Sequence, residues 1–336
     1  MKFISFLHLV VAVTLLCFES LTLVLRTLIK MSSKPKTCKR LMVQKLTTNF
    51  RDAVTIETTE MCSPKNGEVC IKNKYVGINA TDINMTKGRY FVSGEVPFGV
   101  GFEGVGEIVE VGEGVEDLKV GQSVTFLNPR CDTYAEYVCI PALHSTIGLD
   151  KAARIMAGES VLITAAAGGA GHIAVQWAKA ADCHVIGTCS SDEKEKVLRD
   201  LGCDRIINYK KEDLGEVLAK EYPKGVNGRL LVVGGISGYK TENKEALIKR
   251  DLSSLPEQLL FKSASVIGFL VLEFKECFAS YFKFMSESLQ EGKLRIINDD
   301  GQKSTESEFF GMDGIIRAVE HLHSGKSIGK VIARLS

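Results

Sequence analysis

An α/β fold in two parts is what this sequence predicts, on three observations. Residues from about Leu41 to Leu149 carry short β-branched runs and closely spaced glycines with no helix-length periodic segment, the pattern of a mostly antiparallel β domain. The stretch from Gly158 to Lys196 then reads strand, glycine turn, helix, strand, which opens a doubly wound parallel sheet. Beyond it, helix and strand patterns alternate to a closing helix, turn and strand.

The chain opens on an apolar stretch, Phe3 to Phe18 behind Lys2, extended by Leu21 to Leu25 before Arg26 and Lys30. Continuing to Leu25 reaches marginal membrane-spanning length, at the cost of burying His8 and Glu19. No small-x-small cleavage site follows. Residues 1–30 therefore read as an uncleaved anchor or tether (residues 3–25), or as a non-native extension before a working protein that begins at Met31. Two sequons, Asn79-Ala80-Thr81 and Asn84-Met85-Thr86, fall where the cleft is expected, and glycans there would block it. The folded body is accordingly expected on the cytosolic side.

In the β-rich part, Val54 to Glu57, Val69 to Asn73 and Val76 to Asn79 read as strands. Glycines punctuate GVGFEGVGEIVEVGEGV, with Ile108, Val109 and Val111 before a turn at Gly112 to Gly114. Gly121 to Val124 and Ala135 to Val138 read as two further strands.

In the central stretch, Val161 to Thr164 and His184 to Thr188 are β-branched apolar runs, read as buried parallel strands. Between them lie the small residues Ala165 to Gly171 and an apolar helix with Ile173, Ala174, Trp177 and Ala178 on one face. Gly168, Gly169, Ala170 and Gly171 would let the backbone approach a pyrophosphate at the positive end of that helix. The turn is not a strict GxGxxG, and such glycines also serve tight helix–strand packing. The second strand points to the cofactor. An NAD site places a carboxylate there for the ribose 2′-OH, whereas this strand ends uncharged at Thr188-Cys189-Ser190-Ser191, followed by Lys194. Hydroxyls and a lysine suit a 2′-phosphate, hence NADPH. The alternative is that Ser191 only caps the next helix and Lys194 is solvated.

Further on, Glu193 to Leu201 and Asp213 to Glu221 read as helices, Arg205 to Asn208, Leu230 to Val233 and Ser265 to Val271 as strands, and Phe274 to Leu289 as a long aromatic-rich helix. Lys+Arg total 42 against 41 Asp+Glu, so the chain has no electrostatic footprint for nucleic acid. Ten cysteines lie scattered without a CxxC or zinc-like pairing, which suggests buried thiols in a reducing compartment.

The motifs VGINATDIN, PFGVGFEGVGEIVEVG, VLITAAAGGAG, CHVIGTCSSDEK, LGCDRIINYK, ISGY and SIGKVIARL together resemble the medium-chain dehydrogenase/reductase superfamily, in its quinone-oxidoreductase-like branch. The resemblance covers roughly Leu41 to Leu335. It implies a GroES-like barrel (41–150, completed by 300–336) beside a Rossmann domain (151–299), with NADPH between them, in a homodimer of the cytoplasm or peroxisome. The implied reaction is reduction of a carbon–carbon double bond conjugated to a ketone, as in 15-oxo-prostaglandins, with quinone reduction as a variant. It puts Ser190, Lys194 and Tyr209 around the 2′-phosphate, Val233 and Tyr239 near the ribose and nicotinamide, and Phe269 and Leu270 on the loop covering the nicotinamide. Tyr239 is then the candidate for polarising the enone oxygen or donating a proton, against a packing role. Asn79 and Asp82 would line the substrate side, although Asp82 equally suits a cap on a helix starting near Ile83.

Departures from the family pattern are informative. Zinc alcohol dehydrogenases carry a Cys where Asn79 stands and a His where Phe102 stands, and an amide with a phenyl ring does not replace those ligands. The four-cysteine structural lobe is missing, and His321 and His323 read as helix-surface residues. Ser327 stands where the family has an Asn cofactor contact. A stretch between His144 and Ala152 is absent, and after Lys224-Gly225-Val226 a full strand–helix unit of the parallel sheet is missing. The Leu230 strand must then move inward, or the sheet centre must carry unpaired backbone groups. A shortened splice form, an imperfect gene model or a non-catalytic nucleotide-binding relative is the alternative to a reductase.

Overall fold

The computed structural model describes residues 35–89, 95–128, 130–141, 155–223, 229–232, 255–268, 278–305 and 307–336. A small separate unit, of which residues 35–38 and 59–61 are described, is closed by Met61 N–H donating to the Lys36 carbonyl at 3.0 Å. All that follows concerns the larger unit, Lys39–Thr58 with Cys62–Ser336.

The larger unit begins within strand β1 (Thr37–Val43), the middle strand of a three-stranded sheet whose outer members are β2 (Val54–Glu60) and β4 (Phe98–Gly99). The main β sheet runs β13 (Asn298–Asp299), β14 (Lys330–Arg334), β3 (Glu68–Gly77), β5 (Glu103–Val111), β6 (Ser123–Leu127), and β7 (Tyr137–Pro141) also pairs with β3. The two runs expected at Val69 and Val76 are one strand. β3 is continuous but slips register between Cys70 and Ile71 and between Asn73 and Tyr75. Such bulges break the two-residue alternation that would otherwise have marked a single element. Two short helices, α1 (Phe50–Ala53) and α2 (Asp82–Thr86), sit in a region that shows no helix-length periodic segment, α2 at the helix start weighed near Ile83. At four and five residues they are too short to show a 3.6-residue period.

The chain's tail completes this part of the molecule. β14 pairs antiparallel with β3 through Ile332 and Gly77, Ala333 and Val76, and Arg334 and Tyr75. Helix α8 (Gly311–Ser324) buries Met312, Ile315, Ile316 and Val319 against Leu41, Val43, Phe50, Ile78 and Met85. Fully burying an aliphatic side chain contributes on the order of 2 kcal/mol, so this shared core fastens tail to head.

The parallel sheet holds β8 (Ser160–Ile163), β9 (His184–Cys189) and β10 (Arg205–Asn208) in the order β10-β9-β8. Helix α3 (Gly171–Ala180) follows the glycine turn and α4 (Asp192–Asp200) links β9 to β10. The face of α3 that is buried carries His172, Val175 and Ala178, one step round from the face expected. Trp177 instead stacks on Tyr281 and meets Phe284 edge-on, both from α7 (Phe278–Gln290), with ring centroids 5.8 and 5.2 Å away. An aromatic neighbour on the far side thus produces the second apolar stripe.

The missing strand–helix unit leaves its mark here. β11 (Arg229–Val232), which follows helix α5 (Leu214–Glu221) in the chain, forms no ladder with β8 among the described residues, although Arg229 at its start pairs with Glu159 just before β8. It pairs in parallel with β12 (Ser265–Gly268), which follows α6 (Leu255–Lys262), from Arg229 with Ser265 to Val232 with Gly268. Among the described residues, β8 has a strand partner on one side only, and Leu162 within it is 38% exposed where a central strand would bury it. Leu230, Val232 and Val266 are also exposed.

Candidate active site

The residues that bring chemistry together lie where β14 meets the end of β3. Lys330, first residue of β14, donates from Nζ to the Ile78 carbonyl (3.0 Å), Asn79 Oδ1 (3.0 Å) and Glu103 Oε1 (2.5 Å). Asn79 Nδ2 donates to the same Glu103 oxygen at 2.9 Å and to the Gly77 carbonyl at 3.3 Å. All three ammonium protons are used, and the Asn79 amide is fixed in one orientation. Burial pushes the Glu103 carboxyl up, but the Lys330 charge and the hydrogen bonds from Lys330 and Asn79 outweigh it and hold the carboxyl below its ordinary value.

Beneath this layer, Asp82 and Tyr134 are both fully buried. Asp82 Oδ2 accepts the Asn79 backbone N–H at 2.9 Å and lies 2.5 Å from the Tyr134 hydroxyl, which is also 3.3 Å from the Gly77 carbonyl. Asp82 is the first residue of α2 rather than its cap, since Thr81 holds the cap position. Desolvation pushes its carboxyl up to about 7 against the hydrogen bonds from Tyr134 and Asn79. Burial, then the Asp82 charge, raise the Tyr134 phenol well above its usual value. Asn84, in the second sequon, is 2% exposed and turned into the fold, where a glycan does not fit.

The glycine turn starts on Ala165, a left-handed residue at φ 49°. Gly171 is required by packing, because a Cβ there would stand 2.7 Å from Ala166 Cα and inside the shell of the Ala165 carbonyl oxygen. No side chain caps α3 and no acidic residue sits in its first turn. His172 locks the turn from below. Its Nε2 accepts the Ile297 N–H at 3.2 Å, so Nδ1 carries the proton donated to the Gly168 carbonyl at 2.9 Å. Burial lowers the pKa of this ring, with its backbone bonds to Gly168 and Gly169 acting the other way.

The tail loop leans on the same turn. Gly168 bridges Gly329, whose N–H donates to the Ala167 carbonyl at 2.8 Å. Lys194 Nζ donates to the Gly325 carbonyl at 2.7 Å, and burial lowers its pKa. Asp299 braces the loop by accepting from the Ile328 N–H (3.1 Å), Ser304 Oγ (2.6 Å) and His321 Nε2 (2.9 Å). His321, expected on the helix surface, is therefore a buried partner at 7% exposure. It falls on the inner stripe of α8 beside Ile315 and Val319.

Of the residues expected from sequence, Gly168, Gly169, Ala170 and Gly171 form the turn, with Ser327 (6% exposed) in the loop against it. Ser190 is half-buried at the end of β9, and Ser191 caps α4 through the Lys194 N–H at 3.4 Å. Tyr209 is 52% exposed just after β10, its N–H bonded to the Cys189 carbonyl. Val233, Tyr239, Phe269, Leu270 and the apolar segment 3–25 lie outside the described residues. Among the described residues, no helix is long and apolar enough to cross a membrane. Sequence reasoning missed the roles of Lys330, Tyr134 and His172. Only Lys330 carried a signal, the Gly-Lys of SIGKVIARL.

Two family models match the chain, "Alcohol dehydrogenase GroES-like domain" over residues 65–166 and "Zinc-binding dehydrogenase" over residues 169–235. A Bos taurus protein named prostaglandin reductase-3 is 37% identical, the match covering 90% of this chain and 91% of that protein. The chain belongs to the medium-chain dehydrogenase/reductase superfamily. A probable quinone oxidoreductase of Leishmania amazonensis is 33% identical, over 90% of this chain and 99% of that one. In fold, the superfamily likeness extends to the Escherichia coli quinone oxidoreductase solved with NADPH, at a TM-score of 0.69 and 22% identity over 88% and 99% of the two chains. The match to the Bos taurus superfamily member runs over 347 positions, more than the 336 residues available here, so that relative carries residues this chain lacks.

Proposed function

We propose that this protein reduces the carbon–carbon double bond of an α,β-unsaturated ketone with NADPH, as a 15-oxo-prostaglandin 13-reductase does, and without catalytic zinc. The observation that carries the reading is the likeness to the relative named prostaglandin reductase-3 over nine-tenths of the chain. The residues present fit the cofactor. An uncapped helix N-terminus free of acidic side chains suits a pyrophosphate, and Ser190, Ser191, Lys194 and Tyr209 suit a 2′-phosphate. By resemblance, Val233 and Tyr239 serve the ribose and nicotinamide, Phe269 and Leu270 cover the nicotinamide, and Ser327 takes the place of an Asn contact. NADPH, when bound, supplies a hydride. Asn79 and Asp82 are assigned to the substrate side, Asn79 at its surface and Asp82 beneath it. Tyr239 is assigned to hold the enone oxygen or return a proton to the carbon chain.

The residues do not fit a catalytic zinc. The Lys330 ammonium is already bonded to Asn79 and Glu103, the Asn79 amide is consumed by the same network, and Phe102 offers no donor. We assign residues 41–150 with 300–336 to the substrate part and 151–299 to the nucleotide part, and a homodimer as the working form.

A thermal melt of the full chain with NADPH or NADH, followed by incubation with an enone and mass analysis of the product, tests this reading. A melt raised by NADPH alone and a product heavier by two hydrogens are expected. Lys194→Ala should weaken NADPH while leaving NADH unchanged. The one-sided β8 favours a second reading, nucleotide binding without turnover, which an NADPH-shifted melt with no product would establish.

A further inference from the structure

Three cysteines meet on the main β sheet at the end of β3 remote from the Lys330 network. Cys70 on β3 lies directly opposite Cys139 on β7 in the antiparallel register. Cys62 comes from the segment leading into β3, 77 residues from Cys139 in the chain, yet their sulfurs are 2.6 Å apart. All three sulfurs lie within 4.8 Å of one another. Cys70 is fully buried and Cys139 is 8% exposed, while Cys62 is half-buried. Seven residues of strand separate Cys70 from Gly77, roughly 20 Å, so the cluster stands apart from the site described above.

Three thiols at this spacing are an unstable arrangement once ionised, because thiolates repel at short range. A cation placed between the sulfurs reverses that preference, since coordinating thiols lose their protons outright. We propose that Cys62, Cys70 and Cys139 bind one soft divalent cation, zinc by preference, in an open site of three thiolates. Zinc–sulfur bonds of about 2.3 Å set sulfur–sulfur distances of roughly 4 Å. The sheet register sets Cys70 opposite Cys139, with their sulfurs within 4.8 Å of each other. Cys62 must withdraw by about 1 Å from Cys139, and it sits outside any strand, where that movement is easy. Each thiol releases its proton to solvent as the cation binds, so affinity rises with pH. The three thiolates leave one net negative charge around a divalent ion. Arg130 donates to the Cys139 carbonyl at 3.3 Å, its own charge met by the carboxylate of Glu68.

The test is titration of the reduced full chain with cadmium under anaerobic conditions, following thiolate-to-cadmium charge-transfer absorption, and then displacement with zinc. Saturation at one cadmium per chain is expected, with loss of the band in Cys139→Ser and at least about tenfold weaker binding in Cys62→Ser and Cys70→Ser. Cys203→Ser, a buried thiol in the parallel-sheet core, should leave the titration unchanged. Alkylation mapped by mass spectrometry needs no variant, and zinc should protect Cys62 from iodoacetamide until a chelator is added. Absence of saturation, a band that survives Cys139→Ser, or Cys62 alkylated equally fast with zinc present would overturn the site. None of these readouts depends on reductase activity.

Discussion

Asp82 and His172 are two buried ionisable groups, and their protonation works in opposite directions. Asp82 has its folded-state pKa raised to about 7, so its contribution to stability is complete at acid pH and is lost as pH rises through 7. Asp82→Asn should therefore raise the variant-minus-wild-type difference in unfolding free energy, from urea titrations, by on the order of 4 kcal/mol between pH 4 and pH 8. His172 has its folded-state pKa lowered, so its contribution is complete above the unfolded value near 6.5 and falls away on acidification. Protonation would turn Nε2 into a donor facing the Ile297 N–H, and the Gly168 turn would lose its brace. His172→Gln should flatten the acid limb of the melting profile between roughly pH 6.5 and 5, and weaken NADPH binding in calorimetry. Lys330→Met should destabilise the chain by about 1–3 kcal/mol, because Asn79, Glu103 and the Ile78 carbonyl lose one shared donor.

The glycine turn and the parallel strands divide what composition could reveal from what it could not. Gly171→Ala should abolish the turn geometry, since its Cβ meets backbone atoms that cannot yield, and the expected readout is loss of the NADPH-dependent melt shift. β9 and β10 were legible because β-branched runs in β–α–β order have few other solutions, and Arg205–Asn208 matches the expectation residue for residue. The Asp82–Tyr134 pair was hidden, because nothing local ties a tyrosine on one loop to a carboxylate 52 residues earlier. The cysteine cluster was hidden for the same reason, as ligand spacing is recognisable only when ligands share a loop or helix. His321 was misread because two histidines on a polar-looking helix end gave no hint of Asp299 behind them. The gap after Val226 was visible as an absence, and β8 now gives it a measurable form. Amides of β8 that do not point at β9 should exchange hydrogen far faster than those of β9, which is paired on both sides.

Taken together, the molecule has a well-sealed β part and a parallel sheet that is fastened chiefly through the tail. The core around Leu41, Ile78, Met85, Phe309, Ile315 and Val331 draws on both chain ends, whereas β11 and β12 form a pair with exposed Leu230, Val232 and Val266. Two-stranded pairs are marginal by themselves. Chemical denaturation should accordingly show two transitions, the first without loss of the β-part signal and shifted upward by NADPH, since ligand stabilises only the unit that binds it.

β14 joins residues made last to residues made early, Lys330 lying 252 positions beyond the Ile78 it contacts. At about 5–20 residues per second on the ribosome, β3 waits roughly 10–50 s for its neighbour to be synthesised. Through that interval its edge and the apolar groove for α8 stand open to chaperones or to other nascent chains. Yield of this protein in cells should therefore respond to translation speed and chaperone supply before it responds to anything at the chemical centre.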